Sequence, residues 1–137
     1  LADGQPYNVA TFTITFNDEK NYVHVQFFNA LTIETANSFF KALAPFHDPE
    51  PDSILDFSEA SLGSFTTENL KEIVSNRAKL TDRHHIKVAL VAPKDLEFGF
   101  MRMYHSLASE EVPQDRKTFR STTEAVAWIE ESNPPKR

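Results

Sequence analysis

Four carboxylates at the ends of two predicted strands are the side chains best placed for acid–base chemistry. Asp56 and Glu59 stand at the end of a short strand, and Asp95 and Glu97 follow the next one. In an open parallel sheet, the carboxyl ends of the strands form the edge where ligands bind. Asp56 and Asp95 could act there as a pair in acid–base catalysis. The alternative is that these residues cap helices and face water.

The other residue types that support catalysis or metal binding form no known motif. The five histidines lack metal-site spacing, and the adjacent His84 and His85 would point apart in an extended chain. Cysteine is absent, which excludes disulfides, thiol catalysis and thiolate metal sites. No nucleophile-elbow motif and no phosphate-binding glycine loop is present. We therefore expect no metal, no cofactor and no enzyme activity, with a carboxylate-based hydrolase as the minor alternative.

The composition predicts one folded domain. The 137 residues include 40% apolar residues and twelve phenylalanines, which is enough for a single core. A net charge of −6 repels phosphate backbones and anionic lipids, so nucleic acid and membrane surfaces are disfavoured as partners. No apolar run has the length of a membrane span, and we see no leader. We expect one domain over residues 1–137, with its core at 7–131, a flexible tail at 132–137 and a cytoplasmic location.

Hydrophobic periodicity predicts the elements that would position these residues. Residues 9–16 and 22–27 alternate between apolar and polar side chains on either side of a polar turn, the pattern of an antiparallel hairpin with one wet face. From Ile33 the period becomes helical, with Thr32 as the N-cap and Pro45 as the stop. The N-terminal part is therefore a hairpin followed by a helix.

The rest of the chain alternates strands and helices. After an acidic, proline-rich connector, the predicted elements are a strand at 53–57, a helix from Thr66 or Thr67, a buried strand at 86–92, a helix at 95–108, a polar edge strand at 116–121 and a last helix that Ser121 and Glu124 open as a capping box. This order indicates an α/β fold. Its sheet would be mixed, mainly parallel and five-stranded, with four helices and an N-terminal antiparallel hairpin.

The helix at 95–108 carries more apolar surface than one face can hold. Positions 96, 100, 103, 104 and 107 share one side, which predicts the core-facing stripe. Phe98, Met101 and His105 lie roughly opposite, with Arg102 and Gly99 between the two sides. A helix sandwiched between the sheet and another helix would account for both sides. The alternative is an adaptable outer patch for a protein partner or an apolar ligand, which Gly99 would let approach closely.

The last third of the chain resembles the SpoIIAA-like family of small bacterial STAS-type domains. The resemblance extends over about residues 31–131, and the matching positions are Pro93, Asp95, Phe98, Gly99, Arg102, Met103, Tyr104, Phe119, Glu124, Ala125 and Trp128. It implies a STAS-type fold, similar also to CRAL-TRIO lipid carriers. Relatives include anti-sigma-factor antagonists, which bind a kinase-like partner and are switched by serine phosphorylation.

The phosphorylation switch of those antagonists has a partial counterpart here. They read approximately Leu-Asp-Leu-Ser, followed by Asp-Ser-Ser-Gly at a helix start, and Leu55, Asp56 and Ser58 match the first part. The second part is absent, and residues 64–67 read SFTT instead. Thr66 or Thr67 could accept a phosphate, which a helix N-terminus favours. The alternative is that one of them is simply an N-cap.

Two functions are predicted from these observations. The first is a non-catalytic protein-interaction or regulatory module that binds a protein partner or forms a homodimer. The residues expected to carry it are Phe98, Gly99, Met101, Arg102 and His105. The second is a carrier of a small apolar ligand or lipid, held between the helix at 95–108 and the sheet. Neither function calls for stable insertion into a membrane.

Overall fold

A six-stranded mixed sheet with its strands in chain order forms the centre of the structure, a computed structural model that describes residues 7–8, 12–42, 51–63, 65–80, 86–109 and 115–131. Of residues 7–8 and 79–80 the backbone alone is described. The strands are β1 Tyr7–Asn8, β2 Phe12–Asn17, β3 Tyr22–Ala30, β4 Asp52–Ser61, β5 Lys87–Val91 and β6 Asp115–Phe119. β1, β2 and β3 pair antiparallel, and β3 to β6 pair parallel. The predicted five-stranded mixed sheet is confirmed, with β1 as a short addition.

Four helices connect and cover the strands, as predicted: α1 Ile33–Ala42, α2 Thr67–Leu80, α3 Asp95–Ala108 and α4 Thr122–Glu131. Right-handed crossovers that each advance by one strand put α1, α2 and α3 on the same face of the sheet. Their apolar side chains join one core with β2 and β3. α4 follows the last strand and packs on the opposite face, over β4 and β5.

The main core lies between α1, α2, α3 and the sheet, and phenylalanine rings fill much of it. Phe12, Val23 and Val25 are fully buried because alternate residues of β2 and β3 point to this face. The Phe27 and Phe57 rings stack with their centres 4.7 Å apart, and Phe39 meets Phe27 edge-on at 5.3 Å. Aromatic pairs in these geometries add about 1 kcal/mol each to the burial of their area.

The opposite face of the sheet is covered by α4 at one end and polar at the other. Ile54 and Ala89 are fully buried under Ala125 and Ile129 of α4. On the hairpin, Thr15 is exposed opposite the half-buried His24. The predicted wet face of the hairpin is therefore confirmed.

Short polar signals set the helix ends. The Thr35 N–H donates to Thr32 Oγ1, the Asn69 N–H donates to Thr66 Oγ1, and the Glu124 N–H donates to Ser121 Oγ. Each of these bonds satisfies a backbone donor that the first turn of a helix leaves open. The predicted caps at Thr32, Thr66 and Ser121 are confirmed.

β4 is longer than the predicted strand, because it continues past a register shift opposite β3 and pairs Phe28 with Glu59. The polar Ser58 and Glu59 interrupt the apolar pattern that set the predicted end. Predictions about the connector with Pro45, about Ser64, His47, His84 and His85, and about the tail at 132–137 concern residues outside those described. None of the described helices combines the length and apolar content that a membrane crossing needs.

Candidate functional site

α3 buries only part of the face that was predicted to be its core side. Phe100, Tyr104 and Leu107 pack against the core as predicted. Glu97, Met101 and Ala108 are buried, whereas Leu96 and Met103 are 55% and 41% exposed. The prediction that Leu96 and Met103 face the core and Met101 faces outward is therefore wrong.

A buried carboxylate explains this rotation. Glu97 is 4% exposed, and its Oε2 accepts a hydrogen bond of 3.1 Å from the Leu62 N–H. A buried backbone donor of this kind needs a partner, and a charged acceptor makes the bond stronger. The sequence pattern assigns glutamate to solvent and gives little weight to Ala108. Because of those two assignments, the predicted core stripe lies about one quarter of a helical turn away from the face that is buried in the structure.

The outward face of α3 carries the large apolar side chains that are most exposed in the described residues. We call Leu96, Gly99 and Met103 the α3 stripe, because positions three and four apart lie on one side of a helix. The stripe borders the start of α2, where Thr67 Oγ1 lies 3.8 Å from Met103 Sδ. A β-carbon built on Gly99 would meet no other atom of the described chain within 4 Å, its own helix backbone aside.

A groove of about 490 Å³ runs along the other flank of α3, beside β6. We call it the α3–β6 groove, and the described residues that line it are Phe98, Arg102, His105, Ser106, Ser109, Arg116, Lys117 and Thr118. Three of the five predicted binding residues are therefore in this groove, namely Phe98, Arg102 and His105. Gly99 lies on the α3 stripe, and Met101 lies in the core.

Positive charge dominates the groove. Arg102 is exposed, and Arg116 is 5% exposed with its guanidinium 5.9 Å from the centre of the Tyr104 ring. Lys117 also lines the groove, but its charged end lies beside Phe119, on the α4 side of β6. Burial lowers the pKa of Arg116, but a guanidinium keeps its charge in proteins. None of the described lining residues is acidic. The α3–β6 groove is thus cationic in its described lining, although the chain as a whole has a net charge of −6.

Arg120 fixes one end of the groove. Its guanidinium lies 4.0 Å from the centre of the Phe98 ring and forms a 2.6 Å ion pair with Asp95. Arg120 also donates to the carbonyl oxygen of Pro93 at 3.1 Å. Asp95 is 94% exposed, so its ion pair contributes little to stability. The Arg120 guanidinium packed on the Phe98 ring holds this ring as an apolar wall at one end of the groove.

Asp56 forms a second polar cluster on the α4 face of the sheet. Asp56 is 2% exposed, and its carboxylate accepts hydrogen bonds from the Ser58 hydroxyl at 2.7 Å and from the Thr122 hydroxyl at 3.0 Å. The His24 Nε2 lies 3.3 Å from Asp56 Oδ2. Burial alone raises the pKa of Asp56, but bonds from His24, Ser58 and Thr122 outweigh it and lower the pKa from 3.8 to about 2.

This arrangement does not support the predicted acid–base pair. Asp56 bonds His24, Ser58 and Thr122, whereas Asp95 bonds Arg120, so the two carboxylates share no partner among the described residues. With a pKa of about 2, Asp56 is ionised at neutral pH and has no proton to donate as a general acid. The cluster ties the hairpin, β4 and α4 together.

The two threonines predicted as phosphoacceptors lie at the start of α2, and both are exposed. Thr66 exchanges two hydrogen bonds with Asn69: its hydroxyl accepts from the Asn69 N–H at 3.1 Å, and its N–H donates to Asn69 Oδ1 at 3.0 Å. This is the N-cap of the helix. Phosphorylation of Thr66 or Thr67 stays a prediction.

An apolar cavity of about 60 Å³ lies between the helices and the sheet, where the carrier hypothesis expects a ligand. Its lining includes Phe27, Phe39, Phe57, Met101 and Tyr104. An engineered protein cavity of about 150 Å³ binds benzene. The cavity is therefore too small for an aromatic ring or an acyl chain as it stands. Among the described residues, no three histidine or acidic side chains converge as metal ligands.

Comparison with known proteins gives a fold and no activity. No protein-family model and no curated protein matches the chain. A similar solved structure is an uncharacterized protein of the DUF3478 family from Shewanella loihica PV-4, described as having a SpoIIAA-like fold. It is 17% identical, covers 92% of this chain and 99% of its own, and superposes with a TM-score of 0.57. The chain thus has a SpoIIAA-like fold, as the resemblance implies.

Proposed function

We propose that this chain is a non-catalytic, STAS-type protein-interaction module that docks its partner on the α3 stripe. The observation that carries the proposal is Gly99, which is exposed in the second turn of a fourteen-residue helix. Glycine in a helix interior costs about 1 kcal/mol relative to alanine. No neighbour in the described chain occupies the space of a side chain at this position. Nothing in the described part of the chain accounts for the glycine, whereas a molecule docked at this position would.

The stripe has the shape of a helix-docking face. Leu96 and Met103 lie two turns apart with Gly99 between them, so apolar anchors flank a notch. A partner helix could bring its backbone close to α3 at the notch and bury both anchors. Methionine suits such a surface because its thioether adapts to different neighbours.

A second copy of the chain is one partner that would fit the stripe. Two α3 helices packed antiparallel about an axis between Gly99 and Phe100 would bring Leu96 of each copy to Met103 of the other. Such a contact is self-complementary, as a two-fold interface requires.

Site-specific photo-crosslinking tests the proposal. A benzophenone amino acid in place of Met103, introduced in the native host, should give one discrete crosslinked species, either a dimer or a complex with one other protein. The control places the same amino acid at Ala127, which is exposed on α4. Identical patterns from the two positions, or no product from position 103, would contradict docking on the stripe.

The second candidate function is a carrier of a small apolar ligand, which the apolar cavity favours. The cavity would have to widen severalfold, since about 60 Å³ is less than half the space that benzene occupies in an engineered site. Native mass spectrometry of freshly purified protein discriminates between the two functions. A retained lipid would favour the carrier, and the mass of the bare chain counts against it.

A further inference from the structure

β6 presents an open backbone edge to the α3–β6 groove. It pairs with β5 only, and it is the last strand of the sheet in the described part of the chain. The Asp115 N–H donates to the Ile86 carbonyl, and the Phe119 carbonyl accepts from the Ala92 N–H, so these two residues turn their backbone groups to β5. Backbone groups of successive residues in a strand point to opposite sides of it. The N–H and C=O of Thr118 therefore point away from β5, toward the groove.

Each face of the sheet carries an exposed cation near this edge, Arg102 on the α3 side and Lys117 on the α4 side, and the exposed Asp115 begins the strand on the same face as Lys117. Arg102 and His105 line the groove from α3. Lys117 alternates with Thr118, and its Nζ lies 5.5 Å from the centre of the Phe119 ring, which packs on α4. A strand added beside β6 would therefore meet a positive charge on the α3 face from one residue and on the α4 face from the next.

We propose that the α3–β6 groove binds an extended peptide segment with consecutive acidic residues, which adds to the sheet as a strand beside β6. Backbone hydrogen bonds from the edge supply affinity that is independent of sequence, and the cations select acidic side chains. Phe98 at the end of the groove offers contact for one apolar side chain. The groove is separate from the α3 stripe, so this site exists whether or not the stripe docks a partner.

The charge of β6 argues against a second copy as the occupant. Antiparallel pairing of β6 with itself about Lys117 would place the exposed Lys117 side chains of two copies directly opposite each other. Like charges directly opposite across a strand pair are destabilising. An acidic residue of a different strand opposite Lys117 would form an attractive pair instead.

Titration with a fluorescein-labelled probe peptide, a run of glutamates around one central valine, tests the site. The peptide should bind the full chain, bind more weakly as salt is raised, and slow the hydrogen exchange of the Thr118 amide. Arg102→Gln and Lys117→Gln should each weaken binding about threefold, a typical effect for one exposed ion pair. Lys71→Gln is the matched control, since Lys71 is exposed on α2 and should leave affinity unchanged.

Two further probes separate strand addition from charge attraction. The same peptide N-methylated at every residue keeps its charge but cannot donate backbone hydrogen bonds, and it should not bind. Equal binding of the methylated peptide would overturn strand addition. No binding of the unmodified peptide, or affinity insensitive to both groove substitutions, would overturn the site. If the chain without peptide is a dimer and its Thr118 amide is already protected from hydrogen exchange, a second copy and not an acidic peptide occupies the β6 edge.

Discussion

Asp56 shows how one buried charge can join three parts of a fold. His24 lies 32 residues before it and Thr122 lies 66 residues after it. Ser58 donates from both its hydroxyl and its backbone N–H. Burying a carboxylate is costly unless such donors surround it, because its charged form loses its hydration. The low pKa of Asp56 shows that the donors more than offset the burial.

Asp56→Asn should therefore destabilise the chain in a pH-dependent way. Each pKa unit corresponds to about 1.4 kcal/mol, so the bonds to the ionised form contribute about 2 kcal/mol at pH 7. Because the pKa is lower in the folded state, this contribution is complete above about pH 5, falls as the pH drops through 3.8, and is mostly lost at about pH 2. Urea unfolding of the wild type and of the Asp56→Asn variant, at pH 7 and at pH 2.5, measures this contribution.

The matched control for this change is Asp95→Asn, which removes an exposed ion pair to Arg120. It should have no resolvable effect on stability at either pH. If Asp56→Asn lowers the free energy of unfolding by the same amount at pH 7 and at pH 2.5, the destabilisation comes from shape or packing and not from the charge of Asp56.

The helix α3 shows where local patterns stop being informative. The sequence predicts its bounds and its excess of apolar surface, because both follow from composition and period. It misplaces the centre of the buried face by about a quarter of a turn, because Glu97 faces inward to the Leu62 N–H and small Ala108 completes the core side. A buried acceptor for a backbone group from another element is a tertiary contact that leaves no local trace.

Alanine substitutions at the two methionines of α3 check this assignment. Met101→Ala removes a buried side chain and should lower the free energy of unfolding by about 2–4 kcal/mol. Met103→Ala removes a 41% exposed side chain and should change it by less than about 0.5 kcal/mol. Denaturant unfolding measures both, and the reverse order of the two losses would restore the predicted orientation.

At the scale of the whole molecule, the sequence predicts the architecture well. Alternation in the hairpin, the apolar run of β5 and the capping residues are local signals that agree with one another and with the SpoIIAA-like fold. The candidate surfaces are harder to predict, since both the groove and the Asp56 cluster join residues far apart in the chain. Helical spacing predicts that Phe98, Met101 and His105 share one side of α3, and of these Phe98 and His105 line the groove whereas Met101 is buried.

The fold gives α3 two free flanks with different chemistry. α1 and α2 cover the sheet on one side of α3, and β6 ends the sheet on the other. The stripe beside α2 is apolar, whereas the groove beside β6 is cationic. The two proposals therefore assign two kinds of protein surface to opposite flanks of one helix.

The central claim is that a partner docks on the α3 stripe at Gly99. The affinity of the Gly99→Gln variant for the partner crosslinked at position 103 tests it most directly. Glutamine fills the notch and is a good helix former, so this variant should be more stable than the wild type by about 0.5–1 kcal/mol. It should also bind at least about tenfold more weakly, a loss near 1.4 kcal/mol, while Ala127→Gln on α4 binds normally. Unchanged affinity of a more stable Gly99→Gln protein would show that the glycine serves no docking and would contradict the account.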